Sequence, residues 1–154
     1  MVDIKSKNRN NLTKTKAQPK AEERAITFRA TREQHRIETA EDYTELIAEL
    51  IESTGRARTC DIADALGISH VTALRTIRRL QEQGYLNTSN QKPVVLTAKG
   101  KKTAAFSKER HNILLDFFIK IGVPEKIAEQ DTEGTEHHIS DTTLQCLKKL
   151  IKNL

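Results

Sequence analysis

Near the end of the 154-residue chain, the run Glu133-Gly134-Thr135-Glu136-His137-His138 sets two carboxylates and an imidazole at i, i+3 and i+4. On an α-helix that spacing puts Glu133, Glu136 and His137 on one face. Two hard oxygen donors and one nitrogen suit Mn²⁺, Fe²⁺ or Zn²⁺, and no thiolate stands beside them to favour a softer ion. The spacing is close to the Glu-x-x-His pattern of di-metal helix bundles. A solvated acidic helix would carry the same residues, so the neighbours decide. Glu129, Asp131, Glu133, Glu136 and Asp141 follow one another with no Lys or Arg among them. Carboxylates crowded in this way repel unless a cation neutralises them. Asp42 and Glu45, at i and i+3 in an acidic stretch, offer further oxygen donors. His111 heads an otherwise apolar helix face, where a lone His is more often a packing residue than a ligand. If these segments converge, they supply four carboxylates and two imidazoles. That suffices for one octahedral ion or for two ions sharing carboxylates.

A second constellation points to nucleic acid. In the segment ARTCDIADALGISHVTALRTIRRLQEQGYL, Ile62, Ala63 and Leu66 make a short amphipathic helix that Gly67 breaks. Ser69 then caps a second helix that runs to Gly84. Ala73, Leu74, Ile77 and Leu80 form its inner face, and Thr72, Arg75, Thr76 and Arg79 its outer face. An α-helix fits the DNA major groove, where Arg pairs with guanine and Thr contacts bases or phosphates. Arg78, Lys92, Lys99, Lys101 and Lys102 are placed to meet phosphates, and Ser69 joins this set at the helix start. Gly84-Tyr85-Leu86 and Val94-Val95-Leu96-Thr97, joined by a polar loop, read as a two-stranded wing. The expected architecture is a winged helix-turn-helix.

The remaining elements must position these groups. Tyr43, Leu46, Ile47, Leu50 and Ile51 repeat at helical spacing, and Thr54-Gly55 stops that helix. After the wing the chain reads as all helix. His111, Leu114, Leu115 and Phe118 form one stripe, Gly122 and Pro124 mark a break, and Ser140-Asp141 caps a last helix bearing Leu147, Leu150, Ile151 and Leu154. This half is too small for a large private core, so pairing with a second copy is expected. The fold class is therefore mainly α. A disordered basic arm at residues 1–27 precedes a DNA-binding domain at 28–103 and a helical metal-binding and dimerisation domain at 104–154.

Charge follows the same division. Residues 1–36 carry ten bases against four acids, 37–55 six acids and no base, 56–110 eleven bases against four acids, and 111–154 five bases against seven acids. Basic segments alternate with acidic ones, which fits a polyanion partner for the former and a cation for the latter. The longest apolar stretches are triplets, so no membrane span is expected. The basic N-terminus has no apolar core of a secretory signal. Cys60 and Cys146 make no disulfide framework. A reduced, cytoplasmic protein is the expectation.

With these residues in view, the chain resembles the diphtheria-toxin-repressor-like family, and within it the manganese-responsive branch. The strings EDYTELI, DIADALGIS, VVLTAKGKK, ERHNILLDF, IGVPE and EGTEHHIS occur in the family's order and spacing. The resemblance runs from about Phe28 to the end. It implies a homodimer, double-stranded operator DNA as partner, and two Mn²⁺ per subunit. The family's ligands fall on Asp42, Glu45, His111, Glu133, Glu136 and His137. Iron-responsive members typically carry Met and Cys at the positions of Asp42 and Glu136, and here both are oxygen donors. With the chain ending at Leu154, the SH3-like domain of longer members is not expected, while FRATREQHR resembles the N-terminal extension of proteobacterial ones. No role is implied for His35, His70, His138, Cys60 or Cys146.

The function so implied is a manganese-responsive repressor of manganese-uptake genes that has no small-molecule substrate and is not an enzyme. An iron-responsive repressor of the same family is the alternative nearest to it. A two-metal hydrolase would need a nucleophile or base beyond the ligands, and none accompanies them. A metal store would leave the winged helix without a purpose.

Overall fold

A computed structural model describes residues 18–89 and 92–154, with side chains from residue 21 onward. Six α-helices, one 3₁₀ turn and two short strands follow in the order α1 (Gln18–Thr54), α2 (Thr59–Ala65), α3 (His70–Glu82), β1 (Leu86–Asn87), β2 (Val95–Leu96), α4 (Ala98–Lys120), α5 (Glu125–Thr135), the 3₁₀ turn (Glu136–His138) and α6 (Asp141–Ile151). Among the described residues no helix is long and apolar enough to cross a membrane.

Residues 18–27, expected to belong to a disordered arm, lie in α1, whereas residues 1–17 fall outside the described residues. The segment AEERA is built from good helix formers, and Thr27 and Thr31 bond back to the carbonyls of Glu23 and Thr27. Local propensity therefore carries the helix where apolar content is too low to announce it. Two compact units result, Met1–Ile37 and Glu38–Leu154. In the first, Ile26, Phe28 and Ile37 are exposed.

The second unit holds the core. Ala40, Tyr43 and Ile47 of α1 pack with Ile62 of α2, Ile77 and Leu80 of α3, and Leu86 and Val94 of the wing. Ser69 caps α3 as expected, its hydroxyl accepting from the Thr72 amide at 3.1 Å. Gly67, between α2 and α3, takes φ +63°, a left-handed conformation that glycine adopts without a Cβ clash. The strands pair antiparallel, Leu86 opposite Leu96 and Asn87 opposite Val95, and an isolated bridge joins Ala57 to Val94.

α4 joins the wing to the rest. Thr97 caps it by accepting from the Gly100 amide at 3.1 Å, and its hydroxyl also lies 2.7 Å from the Gly84 carbonyl. The expected seam between residues 103 and 104 falls inside this continuous helix, so no linker separates the two halves. Beyond it, α4 packs on α5 and α6, and Leu114, Ala128, Leu144 and Ile151 of these helices are buried.

Gly100 is where α4 meets the wing most closely. A methyl group there would overlap the Tyr85 carbonyl oxygen and press on Leu96. Gly134 in α5 has open space around it. Gly100→Ala is therefore expected to destabilise the chain by about 1–3 kcal/mol. Gly134→Ala should be neutral or stabilise it by up to about 1 kcal/mol. Denaturant unfolding of the two variants checks the contrast.

Candidate functional site

Glu133, Glu136 and His137 do not share one α-helix as the spacing predicts. α5 ends at Thr135, and Glu136 and His137 sit on the 3₁₀ turn that follows. The break falls at Thr135. Its hydroxyl bonds back to the Asp131 carbonyl at 2.6 Å, and its φ of −120° leaves the helical range. The tighter turn buries Glu136, which is 4% exposed, while the Glu133 side chain stays 70% exposed.

The six candidate ligands nevertheless meet. Asp42 and Glu45 from α1, His111 from α4, Glu133 from α5, and Glu136 and His137 from the turn all line one cleft of about 650 Å³. Glu38, Glu49, Lys108 and Asn112 also line it. The donors are closed on one another. His137 Nε2 lies 3.0 Å from Asp42 Oδ1 and 3.5 Å from Glu136 Oε1. His111 Nδ1 lies 2.8 Å from Glu136 Oε2 and 3.6 Å from Glu133 Oε1. Glu136 thus stands between the two imidazoles, one oxygen toward each. The Ser107 hydroxyl donates to Glu45 Oε2 at 2.6 Å. Among the described residues, no group of three or more His, Cys, Asp or Glu side chains surrounds a common point as it would around an ion. Carboxylates and imidazoles in the cleft are paired with one another.

Burial and neighbours set the charges. Hydrogen bonds to Asp42 and Glu41 outweigh desolvation and push the His137 imidazole up to about 10, so it is cationic at neutral pH. Burial pushes the Glu136 carboxyl up against the pull of His111 and His137. Burial acts in the same direction on Glu41, but hydrogen bonds from His137 and Arg110 outweigh it and hold that carboxyl below its usual range.

Glu41 and Arg110 are the residues that sequence reading misses. Arg110 donates to both oxygens of Glu41, at 2.9 and 3.2 Å, and the two side chains are 7% and 8% exposed. A signal exists in hindsight. Ala104, Ser107, Arg110 and Leu114 repeat along the buried face of α4, so a cation in phase with small residues marks a close approach.

The residues expected to meet nucleic acid are distributed over α3, the wing and the start of α4. Ser69, Thr72, Arg75, Arg78 and Arg79 are exposed, Thr76 is half-buried, and Lys92 is exposed on the wing. Lys99, also expected to meet phosphate, is exposed at the start of α4. Its ammonium donates to the Gln83 carbonyl at the end of α3 at 2.9 Å and lies 3.8 Å from the centre of the Tyr85 ring. It ties α4 to the recognition helix and the wing.

Two family profiles match the chain in tandem. One, described as iron dependent repressor, N-terminal DNA binding domain, covers residues 35–94. The other, iron dependent repressor, metal binding and dimerisation domain, covers residues 97–154. The chain belongs to the iron-dependent repressor family. Curated members agree. Transcriptional regulator MntR of Escherichia coli O6:H1 is 42% identical over 82% of this chain and 82% of its own length. HTH-type transcriptional regulator MntR of Bacillus subtilis is 38% identical over 73% of this chain and 79% of its own. A solved manganese-dependent transcriptional repressor in complex with manganese superposes with a TM-score of 0.67 at 29% identity over 73% of this chain. The chain spans about half the length of that solved repressor. Within the family, the first half of this chain is the DNA-binding domain and the second the metal-binding and dimerisation domain.

Two expectations follow. Because the folded His137 titrates near 10 rather than 6.5, its stabilising contribution is complete below about pH 6.5 and is lost as pH rises through about 10. Without metal, the stability gap between wild type and His137→Gln, measured by denaturant unfolding, should shrink over that window. On α3, Arg75→Ala or Thr72→Ala should weaken promoter binding by about 1–3 kcal/mol with dimerisation and metal uptake intact. Fluorescence anisotropy on one promoter duplex, beside size-exclusion chromatography, checks both variants.

Proposed function

We propose that this chain is a manganese-responsive transcriptional repressor that binds operator DNA as a metal-loaded homodimer and shuts manganese-uptake genes. Residues 28–103 bind DNA, and residues 104–154 bind metal and dimerise. The observation that carries the reading is the single cleft lined by Asp42, Glu45, His111, Glu133, Glu136 and His137. The names of its relatives and the manganese complex of the similar solved repressor point the same way.

The donor chemistry fits the ion. Oxygen and imidazole donors with no thiolate suit Mn²⁺ better than a soft cation. Asp42, Glu45, His111, Glu133, Glu136 and His137 would hold the metal, and four carboxylates with two imidazoles are enough donors for two Mn²⁺ per subunit. The bound metal supplies positive charge that four carboxylates can share. The remaining work is done by the chain. Asp42 and Glu45 belong to α1 of the DNA-binding half, while the other donors belong to α4, α5 and the turn. Their joint engagement restricts where α3 can lie relative to the dimerisation half. A palindromic operator needs two recognition helices about 34 Å apart, and a narrower spread of positions lowers the entropic cost of reaching that spacing. DNA in turn must tighten metal binding by the same factor.

The second half leaves Ile119, Ile121, Ile127, Leu150 and Leu154 exposed, and this apolar surface supports pairing with a second copy. On this reading the chain is a regulator without catalytic activity.

The test is promoter binding titrated separately with Mn²⁺, Fe²⁺ and Zn²⁺. Mn²⁺ is expected to raise affinity for a palindromic promoter, and an Fe²⁺-selective response would favour the iron-responsive alternative. Glu136→Ala should sharply reduce Mn²⁺ uptake in isothermal titration. Glu45→Ala should retain part of the uptake but lose its coupling to DNA. Because a cation must displace the His137 proton, Mn²⁺ affinity should rise by up to about tenfold per pH unit and level off as pH passes about 10.

A further inference from the structure

The Glu41–Arg110 pair lies outside the six-donor set, yet its two side chains are only 8% and 7% exposed. Arg110 does more than neutralise Glu41. Its Nη1 also donates to the Glu136 carbonyl at 3.1 Å, and its guanidinium stacks over Phe106 at 4.7 Å. Glu41 reaches the same turn by another route, because its Oε2 accepts from His137 Nδ1 at 2.7 Å. A carboxylate can only accept, so Glu41 holds the Nδ1 hydrogen of the imidazolium, and the Nε2 hydrogen is the one an ion in the cleft would displace. The opposite nitrogen, Nε2, then faces Asp42 Oδ1 and Glu136 Oε1.

We propose that Glu41 and Arg110 are positioning residues of the metal centre, holding the His137 ring so that Nε2 is left to the ion and fastening α1 to the 3₁₀ turn before any ion arrives. The proposal rests on the metal-centre reading above. A carboxylate behind a ligating imidazole fixes its tautomer and orientation and raises its basicity. Arg110 keeps that carboxylate ionised and aimed. A pair of apolar residues could fill the same space and hold the same helices together. It could not accept the Nδ1 hydrogen or donate to the Glu136 carbonyl. That difference separates a positioning role from mere packing.

The test uses the full-length chain and Mn²⁺ alone, with free Mn²⁺ read by electron paramagnetic resonance and unfolding measured without metal. The double variant Glu41→Leu/Arg110→Met replaces the pair with apolar side chains and avoids leaving one buried charge alone. It is expected to unfold near the wild-type midpoint yet bind Mn²⁺ about 10–100-fold more weakly. Glu41→Gln, which still accepts from Nδ1 without a charge, should lose less. In Zn²⁺-loaded protein, the His137 Nδ1 proton should be protected in wild type and exchange freely in the double variant, as read by NMR. Wild-type Mn²⁺ affinity in the folded double variant overturns the proposal. If that variant does not fold, wild-type affinity in Glu41→Ala, which cannot accept from Nδ1, overturns it instead. Glu136→Ala run alongside keeps the two readings apart, since undiminished Mn²⁺ binding there removes the metal centre itself.

Discussion

Charge balance in the cleft is the constraint on which the second unit depends. Carboxylates from α1, α5 and the 3₁₀ turn face the same space, and without positive charge among them the elements would be driven apart. Two cations of different character hold them. Arg110 is permanently charged and buried, and removing only one member of such a pair typically costs about 3–5 kcal/mol. His137 carries an exchangeable proton, held by Asp42 and Glu41. The permanent charge sits behind the cleft on Glu41, and the exchangeable one lies among its lining carboxylates. The same balance explains why the donors lie paired with one another and do not point into empty space.

Much of this was legible in the residues. The apolar spacing of Tyr43 and Ile47 gives the buried face of α1, and Ser69, Thr97 and Ser140 each cap the helix they precede. The wing follows from Gly84, the β-branched pair Val94-Val95 and the polar loop between its strands. The six donors were legible as types and spacings because ligation needs particular atoms at particular intervals. Their convergence was not, since it depends on how α1 packs against α4.

What escaped has a common physical origin. Glu41 and Arg110 are 69 residues apart, and each reads as an ordinary surface charge until tertiary packing brings them together. The helix ends at Thr135, where the backbone φ is −120°, a local change that apolar periodicity does not register. The start of α1 escaped for the opposite reason. Helix propensity there acts without the apolar pattern that sequence reading relies on.

The continuity of α4 bears on how such a chain can diverge. Gly100 at its start receives the wing, and His111, about three helical turns later, points into the cleft. The two positions are in phase on one rigid rod. Inserting or deleting a single residue between them would rotate one against the other by about 100°. Length change in this stretch would separate the ion-binding end of the helix from the end that meets the DNA-binding module. Lineages sharing this architecture can therefore drift in residue identity along the rod, but its length between wing and cleft is locked, and indels belong in the loops on either side.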